Sequence, residues 1–366
     1  MKQFASTIQS LGGRAYLVGG CVRDMIMGRQ CHDHDIVITG IEQDVFEHTF
    51  ADAKLVGNSF PVYHIQMGND TVEVAFARKE RKAGVGYKGF KVKYTSDVTI
   101  ESDLYRRDLT INAIAQDILT GEIVDPYNGR KDIEKKLVNA VSKHFQDDPV
   151  RILRAARFAS VFDYAITTRT LNMMRKCVHE LKYEPQERFF IELEKAFKAQ
   201  STSQRVFFDC LEAVGALKYV YPFVRDNYQQ YMETVQRIEQ EDFLERFCAI
   251  TYLNPHVRKL NPCYGRNRDC AFFVYKWYRV IMDMDDDMIL TMYYELERLH
   301  NDRLLDILSK LVCINHNKIL WFLSHDIYIV VRDTHPDVSA VKDVRLIRQL
   351  VNGAKKSVLS KYKPVV

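Results

Sequence analysis

The chain has 366 residues, 47% of them hydrophobic and 27% charged, and its 52 Lys+Arg against 48 Asp+Glu leave a formal net charge of +4. A chain of this size buries about three quarters of its unfolded surface and divides into two or more domains, which excludes collagen-like, disordered and mini-protein architectures. So small a net charge makes no case for nucleic-acid binding from the totals, and any such role must come from local arrangement.

Eight cysteines (Cys21, Cys31, Cys177, Cys210, Cys248, Cys263, Cys270 and Cys313) are scattered without a CxxC pair. They read as free thiols of a reducing cytoplasm. The start, MKQFASTIQSLGG, has too short an apolar core for a secretory signal, and no window approaches the roughly 18 apolar residues of a membrane span. A soluble, cytoplasmic protein is expected.

Up to about residue 145, short strand-like runs alternate with glycine-rich turns: AYLV (15–18), DIVIT (35–39), VYHIQM (62–67) and TVEVAF (71–76). Gly68-Asn69-Asp70 between the last two predicts a hairpin. From Asp147 onward helical spacing takes over, through RILRAARFASVF, RTLNMMRKCVHEL, RFFIELEKAF and QRVFFDCLEAVGAL. Past Pro222 the segments DFLERFCAITYL, CAFFVYKWYRVIMDM, MILTMYYELERL and LLDILSKLVCI continue as helices. The pattern predicts an α+β head followed by an all-helical remainder.

The first chemical cluster is Val18-Gly19-Gly20-Cys21-Val22-Arg23-Asp24, ending at Gly28, directly after an apolar strand. Two glycines between strand and helix let backbone N–H groups approach an anion, and Arg23 adds a charge-assisted contact to phosphate. Asp33-His34-Asp35 then runs into DIVIT. Carboxylates at i and i+2 on a strand point the same way, a pair suited to Mg²⁺ that bridges to a triphosphate. Glu73, charged among the apolar residues of TVEVAF, either completes that metal site or assists the attacking hydroxyl, or else is a simple edge-strand charge.

Arg106-Arg107-Asp108 joins two guanidinium groups to a carboxylate, a set suited to phosphate and a ribose hydroxyl. Asp147-Asp148-Pro149 opens a helix on which Arg151, Arg154 and Arg157 fall opposite Ile152, Ala156 and Ala159. The stretch Arg78 to Lys93 mixes seven basic residues with Gly84, Gly86 and Gly89, the composition of a mobile loop.

GGCVRD with Gly28, the Asp33/Asp35 pair, RRDLTINAIA (106–115), DPYNGRKDIEKKLVNAV (125–141), DDPVRILRAARFA (147–159) and ERFFIELEKAF (187–197) resemble the successive motifs of class II tRNA nucleotidyltransferases. That family includes the CCA-adding enzymes and the bacterial poly(A) polymerases, and the resemblance is closest to the gammaproteobacterial CCA-adding type. It implies a polymerase-β-like head with Asp33 and Asp35 as metal-holding catalytic residues and Glu73 beside them. It also implies a nucleotide site of Gly19, Gly20, Arg23, Arg107, Asp108, Asp148, Arg151, Arg154 and Arg157.

In this family the pair matching Asp148 and Arg151 acts as the template. Asp148 only accepts, so it suits the exocyclic amino group of cytosine or adenine; Arg151 only donates, so it suits the adjacent ring nitrogen or O2 of cytosine. Uracil and guanine set acceptor against acceptor, which is costly in a desolvated pocket. The resemblance further assigns the hinge between head and neck to Asp125–Asp132, the buttress of the template helix to Glu187–Glu192, and a part in the CTP-to-ATP switch to the basic loop.

The expected organisation is a catalytic head (1–145), a helical neck and body with the base-recognition helix (146–225), and a helical body and tail (226–366) that binds tRNA. The spaced His-Asp series of a C-terminal phosphohydrolase domain is not found, and that activity is not expected. The expected activity is template-independent addition of C, C and A to the tRNA 3′ end from CTP and ATP, with Mg²⁺. Its partners are the acceptor end and elbow of tRNA, with no membrane and no stable protein partner. A poly(A) polymerase and a non-catalytic tRNA-binding relative are the alternatives.

Overall fold

Alternating apolar residues in RAYLV and DIVIT produce two adjacent central strands of a sheet that carries one buried layer on each face. The computed structural model describes residues 1–31, 34–56, 60–68, 70–84, 90–198, 204–237, 242–281, 284–315 and 325–361. Contacts gather them into two compact units, Met1–Val220 and Tyr221–Val366.

In the first unit the order is α1 (Lys2–Ser10), β1 (Arg14–Val18), α2 (Gly20–Ile26), β2 (Asp35–Thr39), α3 (Gln43–Thr49), β3 (Lys54–Leu55), β4 (Val62–Met67), β5 (Asp70–Phe76), β6 (Lys79–Lys82) and β7 (Phe90–Lys93). It continues with α4 (Ile100–Tyr105), β8 (Ala115–Asp117), β9 (Ile123–Val124), α5 (Gly129–Glu134), β10 (Leu137–Val138), α6 (Arg151–Phe162), β11 (Ala165–Ile166), α7 (Thr168–Cys177), α8 (Gln186–Lys198) and α9 (Gln204–Ala213). Among the described residues, seven strands form one sheet in the order β3-β4-β5-β2-β1-β8-β9, antiparallel throughout except for parallel β2 and β5.

One face of this sheet packs Leu17, Ile36, Ile38 and Val74 under Phe4, Ile8, Val22 and Phe46. The other buries Tyr16, Val18 and Val37 against Ile100, Leu104 and Ala113. The expected hairpin is β4 paired with β5, Met67 opposite Asp70, its Asn69 lying outside the described residues. Of the basic stretch, β6 and β7 pair as an antiparallel ribbon, while residues 85–89 lie outside the described ones.

Helix α2 has only seven residues and ends at a turn in which Gly28 takes φ 68 and Arg29 N–H donates to the Asp24 carbonyl at 2.8 Å. The chain doubles back and brings Cys31 onto Cys21, with a Cα–Cα separation of 5.2 Å and a disulfide between them. This corrects the expectation that all cysteines are free thiols; Cys177, Cys210, Cys248, Cys263 and Cys270 form no disulfide among the described residues.

In the second unit the helices Phe243–Ala249, Gly265–Val280, Asp286–Leu299 and Arg303–Asn315 enclose Phe247, Tyr252, Trp277 and Leu308. The helix Val344–Lys361 buries Lys355 over the Tyr294 ring and pairs Lys356 with Asp287, so both lysines are engaged within the fold. No helix among the described residues is long and apolar enough to cross a membrane.

Candidate active site

The antiparallel register pairs Leu17 with Ile36, so the end of β1 and the start of β2 lie side by side and Gly19-Gly20 come next to Asp35. Gly19 has φ 70, a backbone conformation that favours glycine, and a Cβ there would stand 2.9 Å from the movable end of the Arg107 side chain. A Cβ on Gly20 would meet Arg23 Nη2 at an ordinary 3.6 Å; what it would narrow is the cleft that Gly20 lines.

Arg23 is buried. It donates to Asn112 Oδ1 at 2.6 Å, pairs with Asp24 Oδ1 at 2.8 Å and lies over the Phe158 and Phe162 rings. Burial pulls its pKa below the usual guanidinium value, against the pull of Asp24.

The carboxylates come together by strand register. Parallel pairing sets Asp35 opposite Glu73, and antiparallel pairing sets Glu73 opposite His64, whose Nε2 lies 3.4 Å from Glu73 Oε1. Asp35 and Glu73 are exposed and line the same cleft as Val37 and Ala75 from their own strands. Two adjacent hard oxygen donors on an open face fit Mg²⁺. Asp33 lies outside the described residues.

The three members of the Arg106-Arg107-Asp108 triplet have partners outside it. Arg106 Nη2 and Arg107 Nη2 meet Asp103 at 2.6 and 3.1 Å. Burial raises the pKa of the fully buried Asp103, but the two guanidinium groups outweigh it and hold the value down to about 2. Asp108 instead accepts from Arg154 Nε at 2.7 Å and from its neighbour Leu109 N–H at 2.8 Å. Against the upward push of burial, Arg154 and Arg151 keep it well below the carboxylate range.

Helix α6 presents Arg151, Arg154 and Arg157 on its partly exposed face and buries Ile152, Ala155, Ala156 and Ala159, the division its periodicity predicts. The helix begins at Arg151; Asp148 precedes it in extended conformation, with the Val150 N–H donating to its Oδ1 at 3.1 Å. Arg188 of α8 grips Asp148 with both nitrogens, at 2.7 and 3.1 Å, and itself meets Glu184 at 2.6 Å. Arg151 Nη1 donates to the His144 carbonyl at 2.8 Å and the Arg107 carbonyl at 3.4 Å. Burial lowers its pKa, opposed by Asp108 and Asp148.

These groups surround one cleft of about 630 Å³. Gly19, Gly20, Arg23, Asp35, Glu73, Arg107, Asp108, Asp148, Arg151 and Arg154 all line it. Arg157 is the exception. Its Nε donates to Glu192 at 2.6 Å and it does not line the cleft, because α8 packs on α6 and brings that carboxylate to it.

Sequence reasoning missed Asp103 and Asn112 as parts of the site, and reached Arg188 and Glu192 only as members of the segment 187–192 expected to buttress the template helix, without their partners Asp148 and Arg157. Asp103 had a signal, since it stands three and four residues before Arg106 and Arg107 on a helix; Asn112 had none. A further surprise is Arg78, whose guanidinium lies 3.3 Å from the centre of the Phe60 ring at the cleft wall. Burial and neighbouring Arg106 push its pKa down to about 10.

Residues 15–139 match the poly A polymerase head domain, and residues 163–227 match a domain described as a probable RNA and SrmB-binding site of polymerase A. The chain is 42% identical over 215 residues to a CCA-adding enzyme of Buchnera aphidicola, and 41% identical over 213 residues to a multifunctional CCA protein of Actinobacillus pleuropneumoniae. Each match covers 57% of this chain and 50% of the relative, so the chain matches about half the length of these curated proteins. Among solved structures, the CCA-adding enzyme of Bacillus stearothermophilus in complex with CTP has the same fold, with a TM-score of 0.73 at 20% identity over 98% of this chain and 92% of that one. The Thermotoga maritima CCA-adding enzyme complexed with tRNA aligns with a TM-score of 0.62 at 19% identity, over 99% of this chain and 94% of that one. The two family matches fall on the sheet and helices that carry the cleft: residues 15–139 match the poly A polymerase head domain and residues 163–227 the domain that accompanies it, on a fold shared with CCA-adding enzymes.

Proposed function

We propose that the chain is a template-independent, Mg²⁺-dependent nucleotidyltransferase that adds C, C and A to the 3′ end of tRNA from CTP and ATP, working in the cytoplasm. The observation that carries this reading is the gathering of Asp35, Glu73, the Gly19-Gly20 turn, Asp148 and Arg151 around one cleft. The names of the curated relatives, a CCA-adding enzyme and a multifunctional CCA protein, support it. The head (1–145) supplies the chemistry, the helical neck and body (146–225) the choice of base, and the helical remainder (226–366) grip on the tRNA elbow.

In this reading Asp148 and Arg151 select the base. Arg188 and the Val150 N–H hold the Asp148 carboxylate still, and Oδ2, with one partner in the structure, keeps a lone pair for an exocyclic amino group. Arg151 is anchored by the His144 carbonyl through Nη1, which leaves its remaining N–H groups for a ring nitrogen or O2. Arg154 and Arg107 face the sugar and phosphates while Asp108 and Asp103 orient them. Arg157 acts as a positioning residue through Glu192. The Gly19-Gly20 turn and Arg23 receive the triphosphate. Asp33 and Asp35 hold Mg²⁺ with Glu73 beside them, and the ion when bound supplies Lewis-acid activation of the primer hydroxyl and charge neutralisation of the leaving pyrophosphate.

The test supplies tRNA lacking one, two or three terminal nucleotides with CTP, ATP or both. Extension that stops after a single A is the expected result. A long ladder with ATP alone assigns poly(A) synthesis instead, and no extension with any combination removes the enzymatic reading in favour of a tRNA-binding protein.

A further inference from the structure

We propose that Cys21 and Cys31 are a reversible thiol–disulfide modification site that staples the approach to β2 onto the turn bearing Gly19 and Gly20. The two cysteines sit at either end of a short excursion between two parts of the cleft. Cys21 directly follows Gly20 at the start of α2, and Cys31 stands four residues before Asp35.

What opposes them is backbone architecture. The left-handed turn at Gly28, closed by the Gly28 N–H to Met25 carbonyl bond at 3.0 Å and the Arg29 to Asp24 bond at 2.8 Å, sends the chain back along α2. The resulting Cα–Cα separation of 5.2 Å lies in the middle of the range a disulfide requires. The pair is thus arranged to close and reopen with little movement.

Exposure assigns the roles. Cys31 is partly exposed and Cys21 is buried, so an oxidant from solvent reaches Cys31 first. With a peroxide as the oxidant, the Cys31 thiolate attacks one peroxide oxygen, the O–O bond breaks, and a sulfenic acid and one water result once the leaving hydroxide is protonated. The Cys21 thiolate then attacks the sulfenic sulfur, the S–O bond breaks, a second water leaves and the S–S bond forms. Two electrons pass from the sulfurs to the peroxide. A dithiol reductant reverses the change by two exchange steps and is itself oxidised to its disulfide. Asp35 and the glycine turn line the cleft in the disulfide form, so the staple is compatible with the assembled site.

A second use of the same groups is available to the reduced protein. Both sulfurs and a ring nitrogen of His34 lie within 4.8 Å of one another, a donor set that suits zinc. The experiment separates the two.

The full chain is reduced, freed of reductant, treated with hydrogen peroxide, and assayed for thiols and disulfide-linked peptides. The expected result is a fall from eight thiols to six, with Cys21 and Cys31 in one linked peptide, restored by dithiol reductant. The oxidised form should melt about 5 °C higher, and the difference should vanish in Cys31→Ser and in Cys21→Ala. Eight thiols after peroxide, or a link between other cysteines, overturns the proposal. So does one equivalent of zinc retained by reduced protein and lost in Cys31→Ser, which assigns a metal site.

The consequence for catalysis rests on the nucleotidyltransferase reading. The Mg²⁺ concentration giving half-maximal nucleotide incorporation should rise on reduction of the wild type and be equal in both treatments of Cys31→Ser. Equal values in the wild type remove the link to the active site. No incorporation in either state counts against the enzymatic reading and leaves the thiol count to judge the staple.

Discussion

Around the cleft of Met1–Val220, buried carboxylates are met by guanidinium groups: Asp103 by Arg106 and Arg107, Asp108 by Arg154, and Glu192 by Arg157. The interior of Tyr221–Val366 is furnished more with rings, Tyr231 against Tyr252, Phe247 against Tyr264 and Tyr293 against Tyr328, beside a buried Glu245 met by Arg303 and Lys310. Rings bury much apolar area with few polar obligations, whereas each buried ion must find a partner to offset its lost hydration. The first unit therefore carries charge that hydrophobic burial alone would not select. Its location at one cleft marks where that charge is used.

Four changes would break or sharpen this contrast. The largest expected effect is that of Asp35→Ala, which should lower nucleotide incorporation at least about 10³-fold, on the order of 4 kcal/mol of transition-state stabilisation. Because Asp35 is exposed, the urea midpoint should stay where it is. A large stability loss alongside would place Asp35 in the structural network.

Phe247→Ala is the converse. Phe247 is fully buried in the second unit, and its loss should cost about 3–5 kcal/mol in urea unfolding. CTP binding to the first unit, followed by calorimetry at temperatures where the variant remains folded, should be unchanged.

A smaller effect concerns pH. Asp103 titrates at about 2 in the fold against an ordinary 3.8. Its carboxylate therefore contributes fully above about pH 4, and that contribution, about 2 kcal/mol, disappears as the pH falls from 4 to 2. Asp103→Asn should flatten the acid limb of stability against pH, while the second unit, which lacks this pair, should not change its pH response.

The smallest effect belongs to the second unit's own basic groove, where Arg258 lies 3.7 Å from the centre of the Phe272 ring, beside Arg268 and Arg298. Arg268→Gln should weaken tRNA binding a few-fold and reduce the slope of log affinity against log salt by about one, leaving nucleotide affinity intact. An unchanged slope would remove this groove from the RNA surface.

Much of the fold was legible in the sequence. The strands 15–18, 35–39, 62–67 and 71–76 and the arginine face of α6 followed from spacing alone, because side-chain direction in strands and helices is a local property. Glu73 was an isolated acid in an apolar run until parallel pairing set it opposite Asp35. The ion pairs of the RRD triplet were not legible in the same way: a helical turn gives Arg106 and Arg107 to Asp103 and leaves Asp108 to a residue 46 positions away.

The amino-acid sequence by itself determined the α+β division, the order of the motifs, the glycine turn after β1 and the two faces of α6. Each depends on residues within a few positions of one another. Only the tertiary structure decided which ion meets which: Arg154 with Asp108, Arg188 with Asp148 across 40 positions, Arg157 with Glu192 across 35, and Cys31 with Cys21. Such partnerships are set by strand register, by how helices pack and by how a turn redirects the chain. A net charge of +4 on 366 residues was silent about nucleotides because the arginines that line the cleft are interleaved with the carboxylates that hold them.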